Sequence, residues 1–300
     1  MGPFHPGELA VQRRMGQDAV AAKVGRTIRT GIPPVAAEFL AAQPMVVVSA
    51  ADGDGRLWAS ALSGAPGFLR VVPPARADDS TSIDLAARPA VGDPLAAALS
   101  APARIGMIAL QPAKRRRMRV NGRSLPREGG LAITTEQVYS NCPKYIARRE
   151  VVAHSMDHLA GEPRRSTELD PAQRAAVAAA DTFFVATADT DGDADASHRG
   201  GNPGFLSVLS PTRLRWPDYR GNSMFMTLGN LLAHPRCGLL IPDWTTGGAL
   251  QLTGTAEFNW DPATFAPGAQ CSIDFTVDEV FEWPDGPLRW GAAELSPVNP

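Results

Sequence analysis

MVVVSAADGDGRLWASALSGAPGFL, residues 45–69, aligns without a gap on TFFVATADTDGDADASHRGGNPGFL, residues 182–206. About half of the aligned positions are identical, among them Val48/Val185, Asp52/Asp189, Asp54/Asp191, Gly55/Gly192, Ser60/Ser197 and the PGFL tetrapeptide. Farther along, RIGMIAL (104–110) matches RCGLLIP (236–242), and MRVNGRS (118–124) matches LQLTGTA (250–256). The period is too long for a solenoid and indicates one β-rich unit present twice. The copies differ where chemistry would sit. Ala61, Leu62 and Ala65 of the first become His198, Arg199 and Asn202 of the second. The first copy reads as kept for packing, the second for holding a polar ligand.

Composition bounds the classes. Three hundred residues with 44% hydrophobic and 20% charged side chains suit two globular domains with ordinary cores. A net charge of −2 gives no general attraction to nucleic acid or anionic membrane, so neither is expected as a partner. Cys142, Cys237 and Cys271 are too few and too scattered for a disulfide framework and are expected as reduced thiols. No apolar run approaches the roughly 18 residues of a membrane span, and MGPFHPGELAVQRR lacks the apolar stretch of a signal peptide. A cytoplasmic protein is expected.

The local pattern predicts a helix over 8–29, ended by Gly31 and Pro33-Pro34, and a short helix near 34–42. Strands are expected at 45–50, 57–63, 69–72, 104–110, 117–124 and 130–135, with a helix at 95–100 after a polar, proline-containing stretch. The segment 136–180 joins the copies, with helical pieces at 143–152 and 171–180. The second copy repeats the order: strands near 183–188, 194–200, 205–209, 213–216, 237–241, 249–258 and 272–281, and a helix over 223–233. Short strands at close spacing with hairpin turns predict small antiparallel barrels rather than a doubly wound sheet. The expected fold is mainly β with flanking helices: an N-terminal helical segment (1–44), a first barrel (45–135), a linker (136–180) and a second barrel (181–300).

Candidate chemistry concentrates in 195–223. Ser197, His198, Arg199 and Asn202 cluster on one strand and its exit. The loop WPDYRGNS brings Tyr219, Arg220, Gly221, Asn222 and Ser223 to a helix start, where Ser223 is positioned to cap. Free amides, the helix dipole and an arginine there suit a phosphate. Equally, these are turn residues, with Arg199 paired to Asp195 or Asp218. Gln251 and its counterpart Arg119 put a long polar side chain at one point of each barrel, facing either a heterocycle or solvent. The run Lys114-Arg115-Arg116-Arg117-Met118-Arg119 reads as a solvated hairpin tip whose Arg117 and Arg119 reach toward a neighbouring site. Asn141, Lys144 and Tyr145 form a polar set at an expected helix start, with Pro143 near its first position. No metal site is expected. DTDGDAD (189–195) fits no calcium-loop register, and His154/His158 lack a third ligand.

The chain resembles the pyridoxamine 5′-phosphate oxidase-like FMN-binding split barrels, and within them the tandem members. The motifs that carry the resemblance are Phe4-His5-Pro6-Gly7-Glu8, the two PGFL segments, NCPKYI (141–146), DASHRGGNPGF (195–205) and PDYRGNSMFMTLGNL (217–231). The resemblance implies a pseudo-dimer of two tandem split β-barrels with FMN between them. It places the flavin against Ser197–Arg199 and Tyr219–Ser223, with Asn230 in the following helix. The oxidases' serine–arginine–lysine motif is replaced by Met224, Phe225 and Met226, which argues against vitamin B6 oxidation. The function expected is an FMN-dependent oxidoreductase acting with a small-molecule substrate or a separate electron donor. A flavin or haem module without turnover and a deazaflavin-dependent reductase are the alternatives, and a homodimer stays among the expected states. No catalytic residue is assigned.

Overall fold

The computed structural model describes residues 2–73, 81–155 and 161–300. Two antiparallel sheets repeat one strand order. The first contains β1 (Met45–Ala51), β2 (Leu57–Ser63), β3 (Leu69–Val72), β4 (Ser82–Leu85), β5 (Ala103–Gln111), β6 (Arg116–Arg127) and β7 (Gly130–Ser140), ordered β2-β1-β5-β6-β7-β4-β3. Two short strands follow, β8 (Val151–His154) and β9 (Arg164–Ser166). The second sheet contains β10 (Thr182–Ala188), β11 (Ala194–Gly200), β12 (Ser207–Ser210), β13 (Arg213–Tyr219), β14 (Arg236–Pro242), β15 (Ala249–Asn259) and β16 (Ala269–Trp283). Its order, β11-β10-β14-β15-β16-β13-β12, is that of the first, with β9 added on β16. A last strand, β17 (Leu288–Trp290), pairs with β8. Among the described residues no helix is long and apolar enough to cross a membrane.

The runs VVV and FFV are continuous rather than alternating because both faces of their strands are covered. Val46, Val48 and Ala50 face the core of the first copy with Trp58, Leu62 and Met107. Val47, Leu57, Ala59 and Ile108 face the second copy and share a core with Phe184, Ala186, Ala196 and Leu240. The contact between copies is reciprocal. A Cβ on Gly106 of β5 would lie 2.6 Å from the Asp195 Cα of β11. A Cβ on Gly238 of β14 would lie 2.8 Å from the Trp58 Cα of β2. Backbones this close leave no room for a side chain, so each glycine fixes how one copy sits on the other.

The duplicated aspartates are turn residues. Asp52 Oδ1 accepts from the amides of Asp54 and Arg56, and Asp189 Oδ1 from those of Asp191 and Asp193. Gly55 and Gly192 take the positive φ each turn needs (73° and 83°). Among the described residues no three metal-ligating side chains gather, and His158 lies outside them.

Several local expectations are corrected. The predicted helix 8–29 is two, α1 (Pro6–Arg14) and α2 (Asp18–Gly25), because the chain turns through Gly16 at φ 62°. α3 (Pro34–Ala41) and α4 (Pro171–Ala179) form near the expected places. Residues 95–100 give only a short 3-10 turn at Ala98–Ser100. Strand β4 forms within the polar, proline-containing stretch, where no strand was expected. Residues 143–152 are not helical. Tyr145 sits at φ 66°, and its carbonyl packs where a Cβ of Gly200 would be, 1.9 Å away. Farther on, Arg148 and Glu294 form a β-bridge. Helix α5 starts at Met226 rather than 223 and ends at Ala233.

Candidate functional site

The reciprocal contact carries β6 of the first copy to β11 of the second, and a pocket of about 80 Å³ opens where they meet. Arg117 and Arg119 line it from β6, His198, Arg199 and Gly200 from β11, and Asp218 and Tyr219 from β13. Asn141 and Cys142 follow β7, and Gly221–Ser223 lead into the first residues of α5, Met226–Leu228. Phe225, in the left-handed region, makes no side-chain cap, so the start of α5 meets the pocket uncapped.

The pocket is strongly basic. Arg117 Nη1 lies 2.6 Å from His198 Nδ1. An arginine can only donate, so Nδ1 accepts and the imidazole proton sits on Nε2. Burial, and then the neighbouring Arg117, Arg199, Arg119 and Arg149, hold His198 well below the usual histidine range, so it is neutral at pH 7. Burial pushes Arg117 down to about 9, with Arg119 and Arg199 adding repulsion. Arg199 reaches Asp218 at 3.6 Å. Burial holds the Asp218 carboxyl up, and Arg199 opposes that shift. Four donor atoms in this wall, Arg117 Nε, Arg119 Nε, His198 Nε2 and Arg199 Nε, are sealed from solvent without a hydrogen-bond partner among the described residues.

Behind the pocket runs a hydrogen-bonded polar layer. Arg119 Nη1 lies 2.9 Å from Asp195 Oδ2, with both side chains buried. Asp195 also accepts from Ser197 Oγ at 3.2 Å, from the Tyr139 hydroxyl at 3.2 Å and from Asn121 Nδ2 at 3.2 Å. Ser197 Oγ meets Thr227 Oγ1 at 2.5 Å, tying β11 to α5. Asn230 donates to Thr187 and meets His5 Nε2, each at 2.9 Å, so it anchors the N-terminal segment. There His5 and Glu8 form a reciprocal cap on α1. Burial, reinforced by Asp195 and Asp189, raises the Glu8 carboxyl to about 8 although it accepts from the His5 amide.

The expected site residues therefore separate. Arg117, Arg119, His198, Arg199, Tyr219, Gly221, Asn222, Ser223 and Asn141 converge on the pocket. Ser197 and Asn230 lie one layer behind it. Tyr145 flanks it: its hydroxyl donates to the Arg220 carbonyl at 3.0 Å and its ring sits 5.2 Å from that of Tyr219. The Arg220 and Lys144 side chains are exposed. Asn202 is exposed and bonds Asn299 and the Pro300 carbonyl. Ser223 does not cap α5; its hydroxyl donates to Gln17 Oε1 at 2.6 Å. Gln251 is elsewhere, buried against the Ala59 carbonyl and Ser60 Oγ at 2.9 Å each. It repeats Arg119 in sequence, but the reciprocal packing sends the two to opposite contacts. Sequence reasoning missed Tyr139, Asn121, Thr227 and the central place of Asp195, which it weighed only as a partner of Arg199.

The corresponding place in the other copy has, among the described residues, no arginine or histidine in its lining. A residual pocket of about 70 Å³ beside Ala61 and Ser63 is walled by Trp244, Leu288 and Trp290. The two tryptophans pack edge to face at 5.4 Å.

A pH dependence follows from Glu8. Its carboxyl lies at about 8 in the fold against 4.5 ordinarily. Between those values the native state keeps a proton that the unfolded chain has lost. Stability therefore falls as pH rises through the window, by at most about 1.4 kcal/mol per pH unit. His198 has the opposite sign: below its ordinary 6.5 the unfolded chain takes up a proton that the fold refuses, so stability falls as pH drops. Glu8→Gln should abolish the loss of melting temperature between pH 6.5 and 8 and leave the acid limb intact. Parallel wild-type and variant profiles across that window would show that Glu8 is ionised in the fold.

Residues 169–281 match the pyridoxamine 5′-phosphate oxidase family. No curated protein matches the chain by sequence. Similar solved structures include a Lactobacillus delbrueckii protein described as a pyridoxamine 5′-phosphate oxidase, at 20% identity over 38% of this chain and 94% of that one, TM-score 0.32. Group A Streptococcus HupZ is similar at 12% identity over 40% and 98%, TM-score 0.32. A Clostridium acetobutylicum protein related to general stress protein 26 is similar at 13% over 39% and 88%, TM-score 0.29.

Proposed function

We propose that this chain, which carries in its second half a split-barrel unit of the pyridoxamine 5′-phosphate oxidase family, binds FMN and serves as a flavin-dependent oxidoreductase for a small molecule. One observation carries the proposal: three arginines, a neutral histidine and an uncapped helix start converge on one pocket with four buried donors unpartnered. A dianionic phosphate answers all of them. The pocket, of about 80 Å³, is small beside the neighbouring cleft and suits the phosphate end of the cofactor. The rest of the cofactor has space in the larger cleft next door, which shares Arg117 and Asn141. Bound there, FMN would supply hydride or single-electron chemistry. Arg117 and Arg199 would bind the phosphate, His198 would donate through Nε2–H, and Asp195 would hold Arg119 in place. The electrons would come from the substrate or from a separate donor.

Among the described residues one pocket has these groups, because Ala61 and Leu62 replace His198 and Arg199 in the other copy and Trp244 and Trp290 wall the space. Ligand released by heating should be FMN by mass, at one equivalent per folded chain, and the native protein should show a flavin spectrum. Two equivalents would show that the other copy's apolar pocket also binds flavin; haem or deazaflavin in the released fraction would refute the FMN assignment. Both walls of the pocket come from one chain, so FMN binding should persist in a monomer isolated by size-exclusion chromatography.

A further inference from the structure

Beside the phosphate pocket lies a cleft of about 780 Å³ between α3 and the β5–β6 hairpin. Its wall is mixed in a particular way. Val35, which is 64% exposed, and Phe39 supply an apolar side. Arg29, Lys114, Arg116 and Arg117 supply a cationic one, and among the described residues no aspartate or glutamate lines the cleft. Arg115 is the exception in the basic run: it is committed to Glu294 and to the Ile146 carbonyl. Strand alternation then sends Arg117 and Arg119 inward and leaves Arg116 at the lip, its guanidinium 5.1 Å over the Phe39 ring. Several cations around an apolar surface with no nearby carboxylate leave a positive potential that only a ligand would neutralise.

We propose that this lip binds an organic anion with an apolar body, the small molecule that meets the cofactor. The second half of that statement rests on the FMN assignment; the first does not. Lys114 and Arg116 line the cleft and not the phosphate pocket, so FMN affinity is titrated separately in the variant.

The test titrates two fluorescent probes of similar ring size, the anion anilinonaphthalene sulfonate and the uncharged N-phenylnaphthylamine, into protein with and without FMN. The sulfonate should bind saturably to the wild type and lose affinity by about tenfold or more in Lys114→Ala/Arg116→Ala, the scale of one or two charge-assisted contacts. The uncharged probe should change by less than about twofold, and Lys114→Arg/Arg116→Lys should retain sulfonate binding because the charge is kept. Equal losses for both probes, or no saturable sulfonate binding to the folded wild type, would overturn the proposal. A normal melting temperature for the variant establishes that it is folded. If FMN fails to bind while the sulfonate pattern holds, the cofactor assignment fails and the anion site stands; the reverse pattern separates them the other way.

Discussion

Asp195→Ala should destabilise the fold by about 3–5 kcal/mol, the scale for stranding a buried charge. Asp195 is the sole carboxylate at the Arg119 guanidinium among the described residues and also accepts from Tyr139, Asn121 and Ser197. The substitution would leave a buried cation without its carboxylate and the Tyr139 hydroxyl without an acceptor, while Asn121 keeps Gln137 and Ser197 keeps Thr227. The measurement is the urea midpoint of flavin-free protein, with the slope checked so that a changed denatured state is not mistaken for lost stability. The companion is Asp195→Ala/Arg119→Met, which removes both charges and should recover much of the loss. A loss under about 1 kcal/mol would mean that the pair is screened like a surface ion pair, and the central role given to Asp195 would fall.

Arg117→Met is expected to move stability and binding in opposite directions. Arg117 has no carboxylate partner among the described residues, sits beside Arg119 and Arg199, and bonds only the His198 ring. Replacing it with an apolar side chain of similar length should stabilise the flavin-free fold by about 1–3 kcal/mol, the cost of an uncompensated buried polar group. The same change removes a charge-assisted phosphate contact worth about 1.5–3 kcal/mol, which weakens FMN binding by roughly 10- to 100-fold. A group that costs stability and supports binding is the signature of a functional site. Paired melting curves and flavin-fluorescence titrations decide the matter. If Arg117→Met lowers both stability and affinity together, Arg117 is a packing residue and the phosphate assignment loses its main support.

The duplication, the hairpins and most strands were legible in the sequence because they depend on neighbours in the chain. Asp52 and Asp189 bond amides two and four residues on, and Gly55 and Gly192 supply a φ that few other residues reach. The basic character of 195–223 was legible for a similar reason: His198, Arg199 and the start of α5 lie within one continuous stretch. The helix expected at 143–152 failed because its propensity yielded to a tertiary contact, the Tyr145 carbonyl seated over Gly200, some fifty residues away.

What only the tertiary structure decided is where the duplicated positions go. Arg119 and Gln251 occupy one place in the repeat, yet Arg119 meets Asp195 and Gln251 meets Ser60. Each copy's β6-type strand packs on the other copy's hairpin, so residues equivalent in sequence face different neighbours. One of those neighbourhoods holds a histidine, three arginines and an aspartate, and the other is walled by Trp244 and Trp290. Asp195 illustrates the limit. Its partners Arg119, Asn121 and Tyr139 all come from the other copy, 56 to 76 residues earlier in the chain. Local sequence fixes an element through hydrogen bonds and turn geometry that span a few residues. A buried charge is assigned its partner only when Gly106 and Gly238 let two backbones close to within van der Waals contact and exclude the water that would otherwise solvate it.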